Sequence, residues 1–383
     1  MTDTSLPQPI GARVLDLLTR AVLAPIRAFR LPYLPLMMVY FAYGALGIIA
    51  VADSFWVKKE LTLSPAALAH LGVWLTLPWA VKMVFGELVD TVPLLGSRRR
   101  GYVFLGASLI AAGLILLAGA AGKWITFAPP EQLYIIAQIV TVIGVVLQDV
   151  VADAMSTEVV PRVAPDGTPR PQSEIDHDLG MVQILGRLAL SFGALSVAGL
   201  AGYLANTLPY ETVFLIGLAI PAISASGALF VRLESSESRP TDWRILGGGL
   251  AFGALIVVIG YNEIPYAQEL TFLISLAVIV TMLNRVTSDI DPNTRLKIFY
   301  AALIIFFFRA TPGVGEGYRW FTIDVLGFDE AFYGILGQIG AAIALIAAWL
   351  LSDAITRVPV ARVLLWLTVL GGILSIPNLL LVY

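Results

Sequence analysis

The sequence contains no cysteine and only two histidines, His70 and His177, among 383 residues. The first absence excludes disulfides, thiolate nucleophiles and cysteine-ligated metals, and the second argues against a metal site built from several histidines. Charged residues make up 13% of the chain, against about 25% in soluble globular domains. The net charge of −3 offers no basic surface for nucleic acid. With no nucleophile–base pair in the pattern, we predict no enzyme, no metal and no cofactor.

Long apolar runs take the place of the missing charge, with 58% hydrophobic residues and a mean hydropathy of +0.84. A helix needs about 20 apolar residues to cross a bilayer. The sequence therefore predicts an all-α membrane protein with about eleven transmembrane helices, of which the seventh and eighth are the shortest. The predicted spans are 34–56, 66–88, 101–122, 133–155, 181–206, 210–231, 245–261, 267–284, 298–321, 331–352 and 361–383.

Positive charge is distributed unevenly between the predicted loops. With a cytoplasmic N-terminus, 17 of the 24 Lys and Arg residues fall in cytoplasmic segments, and three fall inside spans. This bias follows the positive-inside rule, so we expect a multi-pass protein of the cell (inner) membrane with its N-terminus in the cytoplasm. The outer segments hold only Lys58, Lys59, Lys123 and Arg319.

Residues 1–31 precede the first span and include an amphipathic stretch. Arg13, Arg20 and Arg27 lie seven residues apart with Leu and Val between them. Such a helix suits the surface of an anionic membrane. The alternative is a short helix that packs on the bundle, and the sequence leaves both open.

A short repeat divides the chain into two halves. LTLSPAALAHLG at 61–72 matches LGFDEAFYGILG at 326–337, an offset of 326 − 61 = 265, and an aromatic pair precedes each segment. Internal repeats are common in transporters. We therefore predict a first six-helix bundle at 32–232, a linker with an extra transmembrane hairpin at 233–297, and a partial second bundle of three helices at 298–383. By symmetry, three more helices are expected, so we predict either that the sequence is truncated in its second half or that the protein is a remnant of a longer one.

The loop GELVDTVPLLGSRRRGY at 86–102 matches the Gly-x-x-x-Asp…Arg-Arg signature of the major facilitator superfamily. Gly86 and Asp90 are one helical turn apart. The glycine would allow a neighbouring helix to approach closely, and Asp90 could meet a helix terminus and an arginine across a cytoplasmic gate. Arg98, Arg99 and Arg100 complete the gate motif. The alternative is an ordinary positively charged loop with a solvated aspartate.

Three charged residues lie at one depth inside predicted spans. Lys82, Asp149 and Arg187 each lie about six residues, or ~9 Å, from the cytoplasmic end of their helix. Asp153 is one turn from Asp149. A charge in a span costs about 2.5–3.5 kcal/mol and so is usually paired or functional. We predict either a structural ion-pair network or a site in which Lys82 and Arg187 bind substrate and Asp149, Asp153 and Glu87 carry protons.

Arg309 lies near mid-bilayer, about twelve residues into its span, and the helix-breaking segment TPGVGEG follows at 311–317. A permanent cation at this depth, beside irregular backbone, suits a carboxylate on a substrate. The alternative is a pair with Asp53 or Glu316. The aromatic residues Trp56, Trp79, Tyr318 and Trp320 could stack a flat ring or anchor the protein at the interface.

Residues 63–106, LSPAALAHLGVWLTLPWAVKMVFGELVDTVPLLGSRRRGYVFLG, resemble the folate–biopterin transporter family, as does LQDVVADAMSTEVV at 147–160. Departures are Met83 where the family has proline, the inserted hairpin and the absent last spans. The resemblance implies a major-facilitator fold with pseudo-symmetric bundles. It also implies a secondary transporter of an organic anion such as a folate or pterin, with alternating access and protons as a candidate coupling ion. The alternatives are a transporter of another solute, such as a peptide-sugar or nucleoside, and a non-transporting assembly or sensor protein.

Overall fold

The computed structural model describes Leu23 and residues 25–61, 63–230, 240–261, 264–310 and 315–380. Helices joined by short turns make up nearly all of this part of the chain. They are α1 (Leu31–Leu61), α2 (Pro65–Thr91), α3 (Arg100–Ala121), α4 (Pro130–Glu158), α5 (Gln172–Thr207), α6 (Tyr210–Leu229), α7 (Trp243–Tyr261), α8 (Ala267–Val286), α9 (Pro292–Arg309), α10 (Gly315–Asp324), α11 (Glu330–Arg357) and α12 (Val360–Leu380).

Nine helices in the described residues are long and apolar enough to cross a membrane, namely α1–α6, α8, α11 and α12. The chain is therefore an integral, multi-pass membrane protein. The predicted span at 245–261 corresponds to α7, which is not among these nine because its apolar part is shorter. The predicted span at 298–321 is divided between α9 and α10. Helix α10 begins at Gly315, whose φ of 64° lies in the left-handed region that glycine adopts readily.

The helices form two compact units, Met1–Ala254 with Glu316–Leu350, and Leu255–Gly315 with Leu351–Tyr383. The first unit holds α1–α6, here called the first bundle, together with α10 and most of α11. In the second unit α9 packs on α12, and the ring of Phe272 in α8 lies 6.4 Å from that of Phe306 in α9. These divisions differ from the predicted boundaries at 232 and 298, and the two homologous halves stay a prediction.

The first bundle has an apolar core in two layers. Helix α1 packs on α5 and α6, and α3 packs on α4. One layer, at the end where α4 finishes, includes Leu36, Val103 and Met155. The other, at the end where α1 finishes, includes Trp56 and Phe214. We call these the Arg99 end and the Lys58 end of the bundle.

Small residues bring α1 and α5 into backbone contact. A Cβ added at Gly44 would lie 1.9 Å from the carbonyl oxygen of Leu190, and one at Gly193 would lie 2.2 Å from that of Phe41. Glycines at helix crossings are a common device in membranes because lipid gives helices little hydrophobic reason to associate, so close packing must supply the energy.

Helix α2 is interrupted twice, and the interruptions position a charged residue. Its segments are Pro65–Leu75, Leu77–Ala80 and Lys82–Thr91. Pro78 lacks a backbone N–H and crowds the preceding turn, so the regular hydrogen-bond ladder cannot run through it. Lys82 therefore begins the last segment, directly after Val81 with its non-helical φ and ψ of −95° and 19°.

The predicted amphipathic stretch lies largely outside the described residues, including Arg13 and Arg20. Residues 25–28 are helical. The nearby Arg30 forms an ion pair of 3.5 Å with Asp178, at the start of α5.

Replacing Gly44 with alanine should destabilise the protein by about 1–3 kcal/mol, because overpacking forces the backbones of α1 and α5 apart. Gly72→Ala is the matched control, since a Cβ there meets no atom within 4 Å and alanine favours the helix by roughly 0.5–1 kcal/mol. Thermal unfolding in detergent measures both. Equal stability of the two variants would contradict the close packing of α1 on α5.

Candidate functional site

The charged residues of the second and fourth spans meet inside the first bundle. Lys82 Nζ donates to Asp149 Oδ2 at 2.6 Å and to Asp153 Oδ2 at 2.7 Å. The two aspartates project from successive turns of α4. The Asp149 side chain is 6% exposed and that of Asp153 is 40% exposed. One ammonium therefore bridges a buried carboxylate and an accessible one.

Arg187 joins this group through an aromatic ring. Tyr40 of α1 donates its hydroxyl to Asp153 Oδ1 at 2.7 Å, and the Arg187 guanidinium lies 6.0 Å from the centre of the Tyr40 ring. Within the described ranges, Arg187 is exposed and has no ion pair. Lys82 and Asp149 are thus in direct contact as predicted, while Arg187 is linked to them indirectly. The four charged groups, Lys82, Arg187, Asp149 and Asp153, sum to zero.

Aromatic side chains border the same cluster. Lys82 Nζ lies 6.0 Å from the centre of the Trp79 ring, and Tyr43 stacks on Trp79 with centroids 6.3 Å apart and planes at 26°. Sequence reasoning missed Tyr40 and Tyr43, although their spacing of three residues on one helix was a usable signal. Trp56 is 2% exposed and packs against core rings, so in this structure it is not open to a ligand.

Glu87, a predicted proton carrier, holds a helix end. It is 3% exposed, and its Oε1 accepts the backbone N–H of Asp242 at 2.7 Å, directly before α7 begins at Trp243. Free N–H groups at a helix start favour a carboxylate partner. The observed contact gives Glu87 a structural role at the start of α7.

The loop motif converges on Arg99 rather than on Arg98. The Arg99 side chain donates through Nη2 to Asp90 Oδ1 at 2.9 Å, through Nη1 to the Val89 carbonyl at 2.8 Å, and through Nε to Glu158 Oε2 at 3.0 Å. A second bond joins Arg99 Nη2 to the other Glu158 oxygen. Arg99 is 8% exposed. This Arg99 cluster fastens the end of α2 to the end of α4.

The rest of the motif departs from expectation. Arg98 Nη1 donates to the Asp90 carbonyl oxygen at 3.4 Å, and Arg100 lies exposed over the Phe104 ring at 5.6 Å. The close helix approach expected at Gly86 is wrong for this structure, because a Cβ there meets no described atom within 4 Å. Glu158 was missed, since its partner is 59 residues away in sequence and nothing local points to it.

A second polar network lies at the Lys58 end. Lys58 pairs with Asp324, and Lys59 Nζ pairs with Glu330 Oε1 at 2.6 Å. The Tyr210 hydroxyl donates to the same Glu330 oxygen at 3.0 Å. These contacts join α1 and α6 to the α10–α11 segment.

Three further contacts strengthen this junction. Arg319 Nη1 donates to Ser54 Oγ at 2.7 Å, and the Gly199 N–H donates to Gln338 Oε1 at 2.8 Å. A Cβ on Gly202 would lie 2.4 Å from the Cα of Gly334, so no side chain separates α5 from α11 there. We call the whole junction the seal. Its residues are Ser54, Lys58, Lys59, Gly199, Gly202, Tyr210, Arg319, Asp324, Glu330, Gly334 and Gln338.

Arg309 is the last residue of α9 and is exposed. Among the residues that the structure describes it forms no ion pair, with either Asp53 or Glu316. Residues 311–314 lie outside the described part of the chain. The described residues also contain no group of three His, Asp or Glu side chains that could hold a metal.

The family follows from comparison with known proteins. The model of the BT1 family matches residues 44–383. The chain belongs to the BT1 family. A folate-biopterin transporter of Synechocystis sp. is 28% identical over 349 residues, which cover 91% of this chain and 60% of that relative. A candidate folate-biopterin transporter of Arabidopsis thaliana is 26% identical over a region that covers 56% of this chain and 40% of the Arabidopsis protein. The chain thus spans less than two thirds of the length of these BT1 relatives.

Solved structures agree on the fold. A peptide transporter of the POT type in complex with sulfate superposes with a TM-score of 0.55 and 16% identity, over 85% of this chain and 69% of its own. The same type of transporter in complex with alafosfalin gives a TM-score of 0.51. This BT1 member has a major-facilitator fold, as its loop motif predicts.

In this BT1 chain, Arg99→Ala should lower the free energy of unfolding by about 3–5 kcal/mol, because it removes the nearly buried guanidinium that binds both carboxylate oxygens of Glu158. Arg100→Ala, which removes an exposed charge, should change stability by no more than about 0.5 kcal/mol. Detergent thermal unfolding of the two neighbours makes the comparison. A tolerated Arg99→Ala would show that the Arg99 cluster is not structural.

Proposed function

We propose that this chain belongs to a secondary transporter that moves an organic anion, of the folate or pterin type, by alternating access. The observation that carries the proposal is the Arg187 guanidinium. It is exposed beside a charge cluster inside the bundle and has no ion pair within the described residues. The names of the BT1 relatives support the substrate class, and the aromatic border supports a flat ring.

Arg187 suits an anion better than Lys82 does. Lys82 is already neutralised by two carboxylates at 2.6 and 2.7 Å. Its ammonium offers an anion little attraction unless one of these carboxylates is protonated. The planar guanidinium of Arg187 can bind a carboxylate through two parallel hydrogen bonds. Lys82 then holds α2 and α4 together through its two ion pairs. It becomes available to bind an anion only when one of its carboxylate partners is protonated.

The charge balance also suggests proton coupling. Lys82, Arg187, Asp149 and Asp153 sum to zero, so a bound anion would add one uncompensated negative charge inside a span, which is costly. A proton on a carboxylate restores neutrality. Asp153 is the better placed of the two because its side chain is 40% exposed, against 6% for Asp149. Glu87 is a candidate proton carrier only in a conformation in which its hydrogen bond to the Asp242 N–H is broken.

A flat ring has a defined place to bind. Tyr43 and Trp79 present adjacent, nearly parallel rings beside Lys82. Aromatic side chains favour offset stacking with another ring, and a pterin has such a ring with polar edges. A carboxylate on Arg187 and a ring on Trp79 would together orient an anion of this shape.

Arg309 is proposed as a second contact for an anion. Its exposed guanidinium at the end of α9, and its lack of an ion pair in the described chain, fit a residue that binds a mobile partner.

The seal suggests how access alternates. The Lys58 end is joined by ion pairs between α1 and the α10–α11 segment, whereas the Arg99 cluster joins helices within the first bundle alone. With a cytoplasmic N-terminus, the seal lies on the outer face. Transport would then require the seal to break and reform in each cycle.

Arg187→Ala should weaken the apparent affinity for a carboxylate substrate by roughly 10- to 100-fold, since a hydrogen bond to a charged group contributes about 1.5–3 kcal/mol. Arg187→Lys should weaken it less, and Arg309→Lys and Arg309→Ala should follow the same order. Arg162→Ala, in an exposed loop, is the matched control. Uptake of labelled folate, pterin, dipeptide and nucleoside into proteoliposomes is the measurement.

Each other result of that assay has a meaning. Uptake of a dipeptide or nucleoside alone would identify a transporter of another solute. No uptake by a folded protein would favour an assembly or sensor role. Normal folate uptake by both the Arg187 and Arg309 variants would remove the anion site from these residues.

Cysteine cross-linking tests the seal directly, because the natural chain has no cysteine to remove. In the Lys59→Cys/Glu330→Cys variant, a short thiol cross-linker should abolish uptake, and a cleavable linker should restore it on reduction. The control pair Arg170→Cys/Asp178→Cys joins residues that also form a 2.9 Å ion pair but lie outside the seal. Cross-linking there should leave uptake unchanged. Full uptake with the seal cross-linked would refute alternating access through this end.

A further inference from the structure

We propose that Asp53 is a proton-binding site of the transport cycle, separate from the Lys82 cluster. The inference rests on the proposed transport function. Asp53 lies in α1, eight residues before the helix ends at Leu61, which places it about 12 Å from that end. In the described chain, no Lys or Arg nitrogen lies within 4.0 Å of its carboxylate.

Neutral donors surround the carboxylate instead. Gln138 Nε2 of α4 donates to Asp53 Oδ1 at 3.0 Å, and Tyr134, one turn earlier on α4, is also in hydrogen-bonding contact with Asp53. An amide and a phenol can bond to either form of the carboxyl group. The surroundings therefore accommodate both protonation states without rearrangement of the helices.

The carboxylates of the Lys82 and Arg99 clusters cannot change protonation state without losing an ion pair. Asp149 and Asp153 share the Lys82 ammonium, and Glu158 is bound by Arg99 on both oxygens. Protonating any of these would break an ion pair, whereas protonating Asp53 breaks none among the described residues. Asp53 can therefore exchange a proton at a smaller structural cost than the carboxylates of the Lys82 and Arg99 clusters.

The charged groups that face Asp53 come from α10. They are Arg319 and Glu316, and the titratable group that faces it from α4 is Tyr134. Arg319 donates to Ser54, the residue next to Asp53. The ionised form of Asp53 therefore attracts the same guanidinium that helps to close the seal. Protonation removes this attraction and weakens the seal.

The step is a simple proton exchange. The carboxylate takes one proton from water when the Lys58 end is open and returns it to water on the opposite side later in the cycle. No other bond forms or breaks, and no redox partner is needed. Proton binding at Asp53 is therefore linked to opening of the Lys58 end, with opening favoured at lower pH.

The first experiment reads the proton itself. Infrared difference spectra of the full chain in lipid, recorded between acid and neutral pH, should show a protonated-carboxyl band that titrates reversibly and is missing in Asp53→Asn. Asp166→Asn, in an exposed loop, is the control and should keep the band. A band unchanged in Asp53→Asn, or no titrating band in the natural protein, would overturn the proposal whether or not the protein transports folate.

The second experiment separates coupling from folding. Asp53→Asn should exchange labelled substrate across the membrane at a rate similar to that of the natural protein. The substrate accumulation driven by an imposed pH gradient should be at least tenfold lower in Asp53→Asn than in the natural protein. Asp53→Glu should restore part of it, and thermal unfolding should show both variants folded. Accumulation by Asp53→Asn equal to that of the natural protein would exclude the site. Absence of exchange in the natural protein would instead refute the proposed function.

Discussion

The ammonium of Lys82 holds together the part of the molecule on which the rest depends. It lies inside the first bundle and bonds two carboxylates of one helix. Without it, two negative charges would face each other one turn apart in a span, where even one is expensive. The Tyr40 hydroxyl and, through its ring, Arg187 complete the group. Helices α1, α2, α4 and α5 are thereby tied to one electrically neutral centre.

The two ends of the bundle pair their carboxylates with different kinds of cation. At the Arg99 end, one guanidinium uses its planar fork to bind Asp90, Glu158 and a backbone carbonyl, in a nearly buried position. At the Lys58 end, flexible lysines make simple pairs with partners on the α10–α11 segment. Each of these pairs has one partner open to solvent, Asp324 and Lys59, and solvent-screened pairs contribute less stability than buried ones and separate more readily. The first arrangement suits a permanent joint, and the second suits a contact that opens.

The sequence predicted those contacts that depend on helical spacing and on the depth of a residue in its span. The shared depth of Lys82 and Asp149 anticipated their contact, and the spacing on one helix anticipated Asp153. The loop motif identified the arginine cluster, but not that Arg99 would bind the Asp90 carboxylate together with Glu158, because that depends on how the turn at Leu95 and Gly96 directs the side chain. The pairing of Lys58 with Asp324 spans 266 residues. No periodicity encodes it, and only the folded helices bring the two together.

The broken course of α2 has a mechanical consequence. Its last segment, Lys82–Thr91, is ten residues long, or about 15 Å at 1.5 Å per residue. It carries Lys82 near one end and Asp90 near the other, and the non-helical backbone of Val81 separates it from the preceding segment. A rotation of about 10° there would swing the far tip by about 2.6 Å over this length. The 2.9 Å bond from Arg99 to Asp90 cannot survive such a swing. A displacement of Lys82 along this segment would therefore disturb the Arg99 cluster, which lies one segment length away at the Arg99 end of the bundle.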